Sequence, residues 1–371
     1  MTMVKRFACV VGARPNFVKM APILRALTDF EGIETVLIHT GQHYDKNLSD
    51  VFFDELQIRK PDVFLGVGSG SHAKQTSDVM VAIEGILGGY GKAGKPIDRI
   101  VVVGDVNSTM AAAIAAAKCN VPVAHVEAGL RSLDRTMPEE INRIITDSIS
   151  DLLFVSEPVG VLNLRREGHD ESEIHLVGNV MIDTLFSQLE RAKQRDTLYR
   201  FGLEPKRYGV ITLHRPSNVD DPKVLKNLME VFIRLSSEIP FIFPIHPRTL
   251  ARLKEFGLHS YILDAKANIQ FVDPLGYLDF LCLTAQPMVI VTDSGGLQEE
   301  STALRIPCLT LRDNTERPIT CDLGTSTLIG NSATLLQQQL ESVKNGNYKV
   351  GKIPELWDGL ASERIANILC R

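Results

Sequence analysis

The hydrophobic positions along the chain fall into short unbroken runs, separated by longer segments in which they recur with helical spacing. Such runs are typical of buried strands, and the spaced segments, such as 18–28 and 139–150, are typical of helices. The strands predicted for the first half are residues 7–11, 35–38, 100–103, 123–126, 152–155 and 175–177. This alternation predicts a parallel sheet with helices on both faces.

The alternation stops at a charged segment of helical pattern, residues 185–201, and then begins again. The strands predicted for the second half are residues 210–213, 241–245, 269–272, 289–292 and 308–311. We therefore predict an α/β fold of two Rossmann-like, doubly wound domains, residues 1–175 and 176–354, with an interdomain cleft. A helical segment within residues 355–371 could pack on either domain, and we expect it on the first.

Composition narrows the class of partner. The chain has 371 residues and a formal net charge of −5, which gives no electrostatic reason to expect nucleic acid or an anionic membrane. Its six cysteines form no CxxC pair, as is typical of buried thiols in a reducing cytoplasm. No apolar run has the length of a membrane helix. We therefore expect a cytoplasmic protein that binds a small molecule.

Acidic residues stand at the ends of two consecutive predicted strands. Asp105 follows "IVVVG" and Glu127 follows "VAHV". Asp105 could simply cap the next helix, and Glu139, directly after Pro138, could simply favour a helix start. Adjacent parallel strands lie about 5 Å apart, however, so Asp105 and Glu127 would stand close together if their strands are neighbours. Clustered carboxylates perturb each other's pKa values and can divide acid and base roles.

Two strand-to-helix turns have the composition of anion sites. In "DSGG", Ser294, Gly295 and Gly296 would let a diphosphate approach the backbone N–H groups of a helix start, although a plain Gly-rich turn would look the same. In "GARPNFVKM", Arg14 stands in a similar turn and Lys19 lies one helical turn further on. Both would add positive charge to a diphosphate site.

Other polar residues near strand ends give weaker signals. Glu300, one turn into the helix after "DSGG", could accept ribose hydroxyls or be a solvated helix residue. Arg317 in "RDNTERP" could bind phosphate, although an isolated surface arginine is commoner. His214 and His246 each follow a strand and lie near an arginine, which favours an anion-binding role. No HExxH motif or Cys/His set is present, so we expect no metal.

Two familiar phosphate-binding signatures are nearly present. "GVGSGS" has Ser71 where GxGxxG requires its third glycine, and "GYGKAGKP" has Pro96 where a P-loop needs Ser or Thr. We reject both motifs. Neither a nicotinamide cofactor nor a nucleotide-hydrolysing motor is therefore expected.

A series of motifs resembles the non-hydrolysing UDP-N-acetylglucosamine 2-epimerase family. In chain order they are "GARPNFVKMAPIL", "TGQHYD", "VVGDVNSTMA", "HVEAGLRS", "MPEEINR", "TLHRPSN", "DPLGYLDF", "DSGGLQEE" and "LRDNTERP". They run from residue 10 to about residue 318, which is most of the chain. The resemblance implies a fold of the glycosyltransferase-B type, usually dimeric, that closes over a UDP-sugar.

The resemblance also implies a reaction and the residues that perform it. Family members are understood to eliminate UDP, hold 2-acetamidoglucal and add UDP back with protonation on the other face, which requires no cofactor. Catalytic positions of the family match Asp105, Glu127, Glu139 and His214. Its binding positions match Arg14, Lys19, His43, Arg215, His246, Leu275, Phe280, Ser294, Gly295, Gly296, Glu300 and Arg317. Leu275 and Phe280 fall where the family holds the uracil, and Glu300 falls where it binds the ribose.

Two motifs depart from the family pattern and leave the sugar open. Many bacterial members read HRREN and AQHRQ where this chain has "HRPSN" and "GQHYD". We expect a homodimer that interconverts UDP-GlcNAc and UDP-ManNAc. The alternatives are a 2-epimerase of a related substrate such as a UDP-2,3-diacetamido-uronate, a UDP-sugar glycosyltransferase, which would need an acceptor, and a non-catalytic UDP-sugar sensor.

Overall fold

The computed structural model describes residues 4–41, 55–90, 96–262 and 268–371. The chain forms two compact units, Met1–Ser187 together with Glu355–Arg371, and Gln188–Pro354. The boundary expected between residues 175 and 176 therefore lies too early. The start of the next helix belongs to the first unit, because the hydroxyl of Thr184 donates to the carbonyl of Val18 at 2.6 Å.

In the first unit, the described strands form one parallel sheet. They are β1 (Lys5–Val11), β2 (Ile33–His39), β3 (Val63–Phe64), β4 (Arg99–Val103), β5 (Val123–Ala128), β6 (Leu152–Val155) and β7 (Ile174–Leu176). Their order is β3-β2-β1-β4-β5-β6-β7. The order reverses between β1 and β4, and ligands of open α/β sheets bind beyond the carboxyl ends of strands at such a point.

Helices cover both faces of this first sheet. They are α1 (Arg14–Leu27), α2 (His72–Gly85), α3 (Asn107–Lys118), α4 (Pro138–Ser148), α5 (Pro158–Arg166) and α6 (Val180–Lys193), and a π-helical turn (Ile86–Tyr90) extends α2. The alanine-rich α3 buries Ala112 and Ala116 against the same core as Ile100 and Val102 of β4. Small side chains on α3 allow close packing against the β-branched strand residues.

The second unit repeats the architecture. Its described strands are β8 (Gly209–Thr212), β9 (Phe241–Pro244), β10 (Ile269–Val272), β11 (Val289–Thr292), β12 (Cys308–Thr310) and β13 (Ser326–Leu328). Their order is β10-β9-β8-β11-β12-β13, all parallel. The predicted α/β fold of two Rossmann-like, doubly wound units is therefore confirmed.

Helices of the second unit lie on both sides of its sheet. They are α7 (Thr197–Arg200), α8 (Pro216–Val219), α9 (Pro222–Ser236), α10 (Pro247–Glu255), α11 (Tyr277–Thr284), α12 (Gly295–Ala303), α13 (Ile319–Asp322) and α14 (Ala333–Lys344), with a 3₁₀ turn (His259–Tyr261) after α10. Neighbouring residues of β11 pack into two different hydrophobic cores. Val291 lies in the same core as Phe232 of α9, and Ile290 lies in the same core as Leu297 of α12. This alternation buries the strand on both faces.

The C-terminal segment packs on the first unit through helix α15 (Ala361–Leu369). Trp357 is buried, and its indole N–H donates to the carbonyl of Ser156 at 3.1 Å. The carboxylate of Asp183 accepts the backbone N–H groups of Ala361 and Ser362 at 3.1 and 2.6 Å, which supplies acceptors to the start of α15. Among the helices of the described ranges, none is both long and apolar enough to cross a membrane.

Candidate active site

Strands β4 and β5 end side by side, and each end turns sharply. Val103 pairs with Val126 in the parallel register, and the N–H of Gly104 donates to the carbonyl of Val126 at 3.0 Å. Gly104 has φ +67°, and Glu127 has φ +74° at a shift in the register between β5 and β6. Asp105 and Glu127 therefore emerge at the same edge of the sheet, as the strand-end argument predicts.

A buried ion pair lies over this edge. The ammonium of Lys19, from α1, contacts the carboxylate of Glu127, and both side chains are buried. A Cβ atom on Gly104 would stand 3.0 Å from Lys19 Nζ and 3.3 Å from Glu127 Oε2. Because glycine has no Cβ atom, Gly104 makes room for the ion pair between Lys19 and Glu127.

Asp105 has a cationic partner of its own. Nη1 of Arg143, a buried residue of α4, lies 2.7 Å from Asp105 Oδ2, and Nη2 lies 3.1 Å from Glu140 Oε2. The side-chain amide of Asn142 donates to the backbone carbonyl of Asp105 at 2.8 Å. Helix α4 therefore holds Asp105 by both its backbone and its carboxylate. The side chain of Asp105 is 26% exposed, so part of it faces solvent.

Glu139 and Glu140 begin α4 but differ in environment. Glu139 is exposed, whereas Glu140 is 1% exposed and accepts the backbone N–H groups of Ser132 and Leu133 at 2.9 and 3.0 Å. Sequence reasoning named Glu139 and missed both Glu140 and Arg143. The signal was available, because residues three apart on a helix are neighbours and a Glu–Arg pair at that spacing forms readily.

In the second unit, a buried carboxylate organises the end of β8. Asp293 accepts the backbone N–H groups of His214 and Arg215, both at 2.9 Å, and lies 2.8 Å from His214 Nδ1. Burial by itself would raise the pKa of Asp293, but the hydrogen bonds from His214 and the backbone hold it below its usual range. The ring of His214 is 41% exposed, so its other nitrogen can face a ligand.

A second histidine stands beside the first. His246 caps α10, where its Nδ1 accepts the N–H of Arg248 at 3.2 Å, and its ring centroid lies 5.5 Å from that of His214. Burial and the neighbouring His214 lower the pKa of His246. The neutral ring, with Nδ1 accepting, carries its hydrogen on Nε2 and can donate it to an anion.

Ser294, directly after this carboxylate, is the N-cap residue of helix α12. The N–H of Ser294 donates to the hydroxyl of Thr292 at 2.9 Å, and Gly295 and Gly296 form the first turn. First-turn N–H groups together with the helix dipole form an anion site. A Cβ atom on Gly295 would lie 3.1 Å from Glu316 Oε1, so this residue too stands in a confined space.

Buried charges surround α12. Arg317 Nε lies 2.5 Å from Glu299 Oε1, and Arg312 Nη2 lies 2.7 Å from Glu316 Oε2. Burial, reinforced by the charge of Glu299, raises the pKa of Glu300 to about 8. Glu300 is therefore largely protonated near neutral pH and can donate as well as accept a hydrogen bond.

The remaining predicted residues are distributed as follows. Leu275 and Phe280 are partly buried and pack against the core on the α11 and α12 side of the second sheet. Arg14 begins α1. The side chain of Arg14 and the whole of His43 lie outside the part of the chain that the structure describes.

The first unit thus presents strand-end carboxylates with cationic partners, and the second presents two neighbouring histidines and a glycine-rich helix start. Two Rossmann-like units place the chain in the glycosyltransferase-B class of folds, which it shares with solved UDP-GlcNAc 2-epimerases. A family model described as UDP-N-acetylglucosamine 2-epimerase matches residues 25–370. The chain belongs to the UDP-N-acetylglucosamine 2-epimerase family, a family of isomerases, as its motifs predict.

Individual relatives match along almost their whole length. A UDP-N-acetylglucosamine 2-epimerase of Methanocaldococcus jannaschii is 41% identical over 371 residues, with 98% of both chains covered. A UDP-2,3-diacetamido-2,3-dideoxy-D-glucuronate 2-epimerase of Pseudomonas aeruginosa is 36% identical, also with 98% of both covered. The crystal structure of the M. jannaschii UDP-GlcNAc 2-epimerase in complex with UDP-GlcNAc and UDP has a TM-score of 0.87 at 41% identity, covering 98% of this chain and 99% of that one.

Proposed function

We propose that the chain interconverts UDP-GlcNAc and UDP-ManNAc by eliminating UDP to give 2-acetamidoglucal and adding it back with inversion at C2. Family membership supports the substrate class, as does the M. jannaschii relative crystallised with UDP-GlcNAc and UDP. The observation that carries the proposal is the arrangement at the ends of β4 and β5. There Asp105 and Glu127 emerge together, Glu127 in contact with Lys19 and Asp105 with Arg143.

The reaction needs groups that move a proton at C2 on either face of the sugar. In the first half, a carboxylate takes the C2 proton while the C1–O bond breaks and its electron pair leaves with UDP. In the second half, UDP re-forms the C1–O bond and an acid returns a proton to the opposite face of C2. We assign these proton transfers to Asp105, Glu127 and Glu139. Electrons balance without an external oxidant or reductant.

Departure of UDP places negative charge on the diphosphate, which the enzyme must stabilise in the transition state. We assign this role to the N–H groups at the start of α12 and to His214, whose protonated ring donates through the nitrogen that Asp293 leaves open. The other proposed diphosphate ligands are Arg14, Lys19, His43, Arg215, His246 and Arg317. Glu300 would bind the ribose, and Leu275 and Phe280 would hold the uracil.

The test is a proton NMR time course of the purified protein with UDP-GlcNAc as sole substrate. We expect UDP-ManNAc to appear until the two sugar nucleotides reach a constant ratio, and a second time course started from UDP-ManNAc should reach the same ratio. Accumulation of free sugar and UDP would indicate a hydrolase. An unchanged spectrum, with UDP-GlcNAc bound, would indicate a transferase lacking its acceptor or a sensor, and would refute the proposal.

The P. aeruginosa relative favours a second candidate, a 2-epimerase of a UDP-2,3-diacetamido-uronate. Such a substrate adds a carboxylate and an acetamido group to the sugar but leaves the elimination at C1 and C2 unchanged. Comparison of kcat/KM for the two substrates with the same preparation decides between them. A higher kcat/KM for the diacetamido-uronate would assign that substrate.

We further propose a cytoplasmic homodimer. All six cysteines are free, which supports a reducing compartment, and dimerisation follows the expectation for the family. Light scattering coupled to size-exclusion chromatography should give twice the chain mass of 41.0 kDa. A mass of one chain at working concentration would refute the dimer.

A further inference from the structure

A buried histidine that takes no part in the proposed proton transfers lies directly below the strand ends. His125, in β5, is 0% exposed. Its Nδ1 stands 2.6 Å from Oδ1 of Asp147 in α4, and its Nε2 stands 2.9 Å from the backbone carbonyl oxygen of Gly104. Both partners are acceptors, so both ring nitrogens must carry a hydrogen to satisfy the contacts. The geometry is that of an imidazolium ion.

The partner of His125, the carboxylate of Asp147, is also charged and buried. Asp147 is 0% exposed and also binds Nη2 of Arg131 at 2.7 Å and the backbone N–H of Gly129 at 3.0 Å. Burial by itself would raise the pKa of Asp147, but His125 and Arg131 hold it below its usual range. Arg131 is balanced in turn by a bidentate contact with Glu167, at 2.8 and 2.6 Å. Every charge of the network thus has an opposite partner, which a buried site requires.

The network holds the backbone on both sides of the two strand-end carboxylates. The carbonyl that receives the His125 hydrogen belongs to Gly104, the left-handed residue that directs the chain from β4 into Asp105. The N–H that Asp147 receives belongs to Gly129, two residues after Glu127. One buried salt bridge therefore fixes the strand ends from which both carboxylates project.

We propose that His125 is a positioning residue, which donates from both ring nitrogens, to Asp147 and to Gly104, and sets the direction of Asp105 and Glu127. The inference rests on the proposed epimerase function. It predicts that loss of the network lowers kcat while binding of UDP, assigned mainly to the other unit, is retained. A misplacement of about 1 Å at a reacting group costs about 10²-fold in rate.

The main test compares His125→Gln with His175→Gln. His175 lies on β7 of the same sheet and has no part in the network, so it controls for the substitution itself. We expect His125→Gln to lower kcat about 10²-fold, with KM and the Kd for UDP little changed. Calorimetric stoichiometry of UDP binding counts folded sites, so a loss of folded protein is not mistaken for a lower kcat. His175→Gln should behave as wild type.

Asp147→Asn gives an independent variant that keeps side-chain shape but cannot hold an imidazolium. It should show the same selective fall in kcat, and the double variant with His125→Gln should fall no further, since both break one unit. On the wild-type protein, ¹⁵N NMR of the histidine rings should show both nitrogens of His125 protonated near neutral pH.

The outcomes separate the two proposals. A wild-type protein that converts no UDP-sugar refutes the proposed function, and the NMR measurement then still decides the charge state of His125. An active wild type refutes this inference if His125→Gln and Asp147→Asn retain kcat, if KM and the Kd for UDP change instead, or if His125 is a neutral tautomer. If neither variant folds, the NMR result on the wild type decides.

Discussion

Substitution of Gly104 by alanine tests the geometry of the strand ends most directly. The backbone there has φ +67°, and the added methyl group would meet Lys19 Nζ at 3.0 Å and Glu127 Oε2 at 3.3 Å. Both distances are shorter than ordinary van der Waals contact. The end of the lysine side chain must then retreat by a few tenths of an ångström. That retreat displaces the ion pair with Glu127.

The backbone conformation sets the expected loss of stability in Gly104→Ala, and the displacement of the ion pair sets the expected loss of kcat. A left-handed backbone costs an alanine about 1–2 kcal/mol, and the loss of unfolded-state freedom offsets about 0.4–1 kcal/mol of this. We therefore expect the free energy of unfolding to fall by about 1 kcal/mol. If a 1 Å error costs about 10²-fold in rate, a shift of a few tenths of an ångström should lower kcat by roughly 10-fold or less.

The matched control is Gly168→Ala. Gly168 lies just after α5 with φ +91°, and a Cβ atom added there would meet nothing within 4 Å. Gly168→Ala therefore has the same cost of a left-handed backbone as Gly104→Ala, but its methyl group contacts no other described residue. Urea denaturation should show a loss for Gly104→Ala at least as large as that for Gly168→Ala, and steady-state kinetics should show a lower kcat for Gly104→Ala alone. Equal kcat values for the two variants would refute the assignment of Lys19 and Glu127 to the reacting site.

Three further predictions test the chemistry. Asp105→Asn, Glu127→Gln and Glu139→Gln should each lower kcat by about 10²-fold or more, with UDP affinity by calorimetry unchanged; a variant with normal kcat has no proton-transfer role. In deuterium oxide, recovered UDP-sugars should carry deuterium at C2 by NMR, and unlabelled epimer would contradict elimination. Because the pKa of Glu300 is raised to about 8, the folded chain keeps a proton that the unfolded chain loses, so the free energy of unfolding should fall from pH 5 to pH 8. The slope is up to about 1.4 kcal/mol per pH unit and should flatten in Glu300→Gln; an equal slope in urea denaturation of that variant would contradict it.

The sequence was sufficient for the fold class because long helices carry a strong hydrophobic period and strands buried on both faces appear as unbroken hydrophobic runs. It predicted β4 at residues 100–103, and the structure has Arg99–Val103. The edge strands β3 (Val63–Phe64) and β13 (Ser326–Leu328) were missed, because neither contains enough consecutive apolar residues to form a recognisable hydrophobic run.

Part of the candidate site could likewise be predicted from the sequence, and part could not. Strand-end position predicted Asp105 and Glu127, since parallel strands must end at one edge. The turn at Glu127 and the partner of Asp105 could not be predicted, because they depend on contacts between residues far apart in the chain. Arg143, for example, is reached only after the loop that follows β5.

The return of residues 355–371 to the first unit has a consequence for biosynthesis. The second unit is a continuous stretch, Gln188–Pro354, and can complete its core as it leaves the ribosome. The first unit cannot complete its core at that stage. Trp357, and the backbone N–H groups that bind Asp183, belong to a segment translated after the whole second unit. The part of the chain made first therefore finishes folding last, and until then the surfaces that Trp357 and α15 cover stay open to solvent.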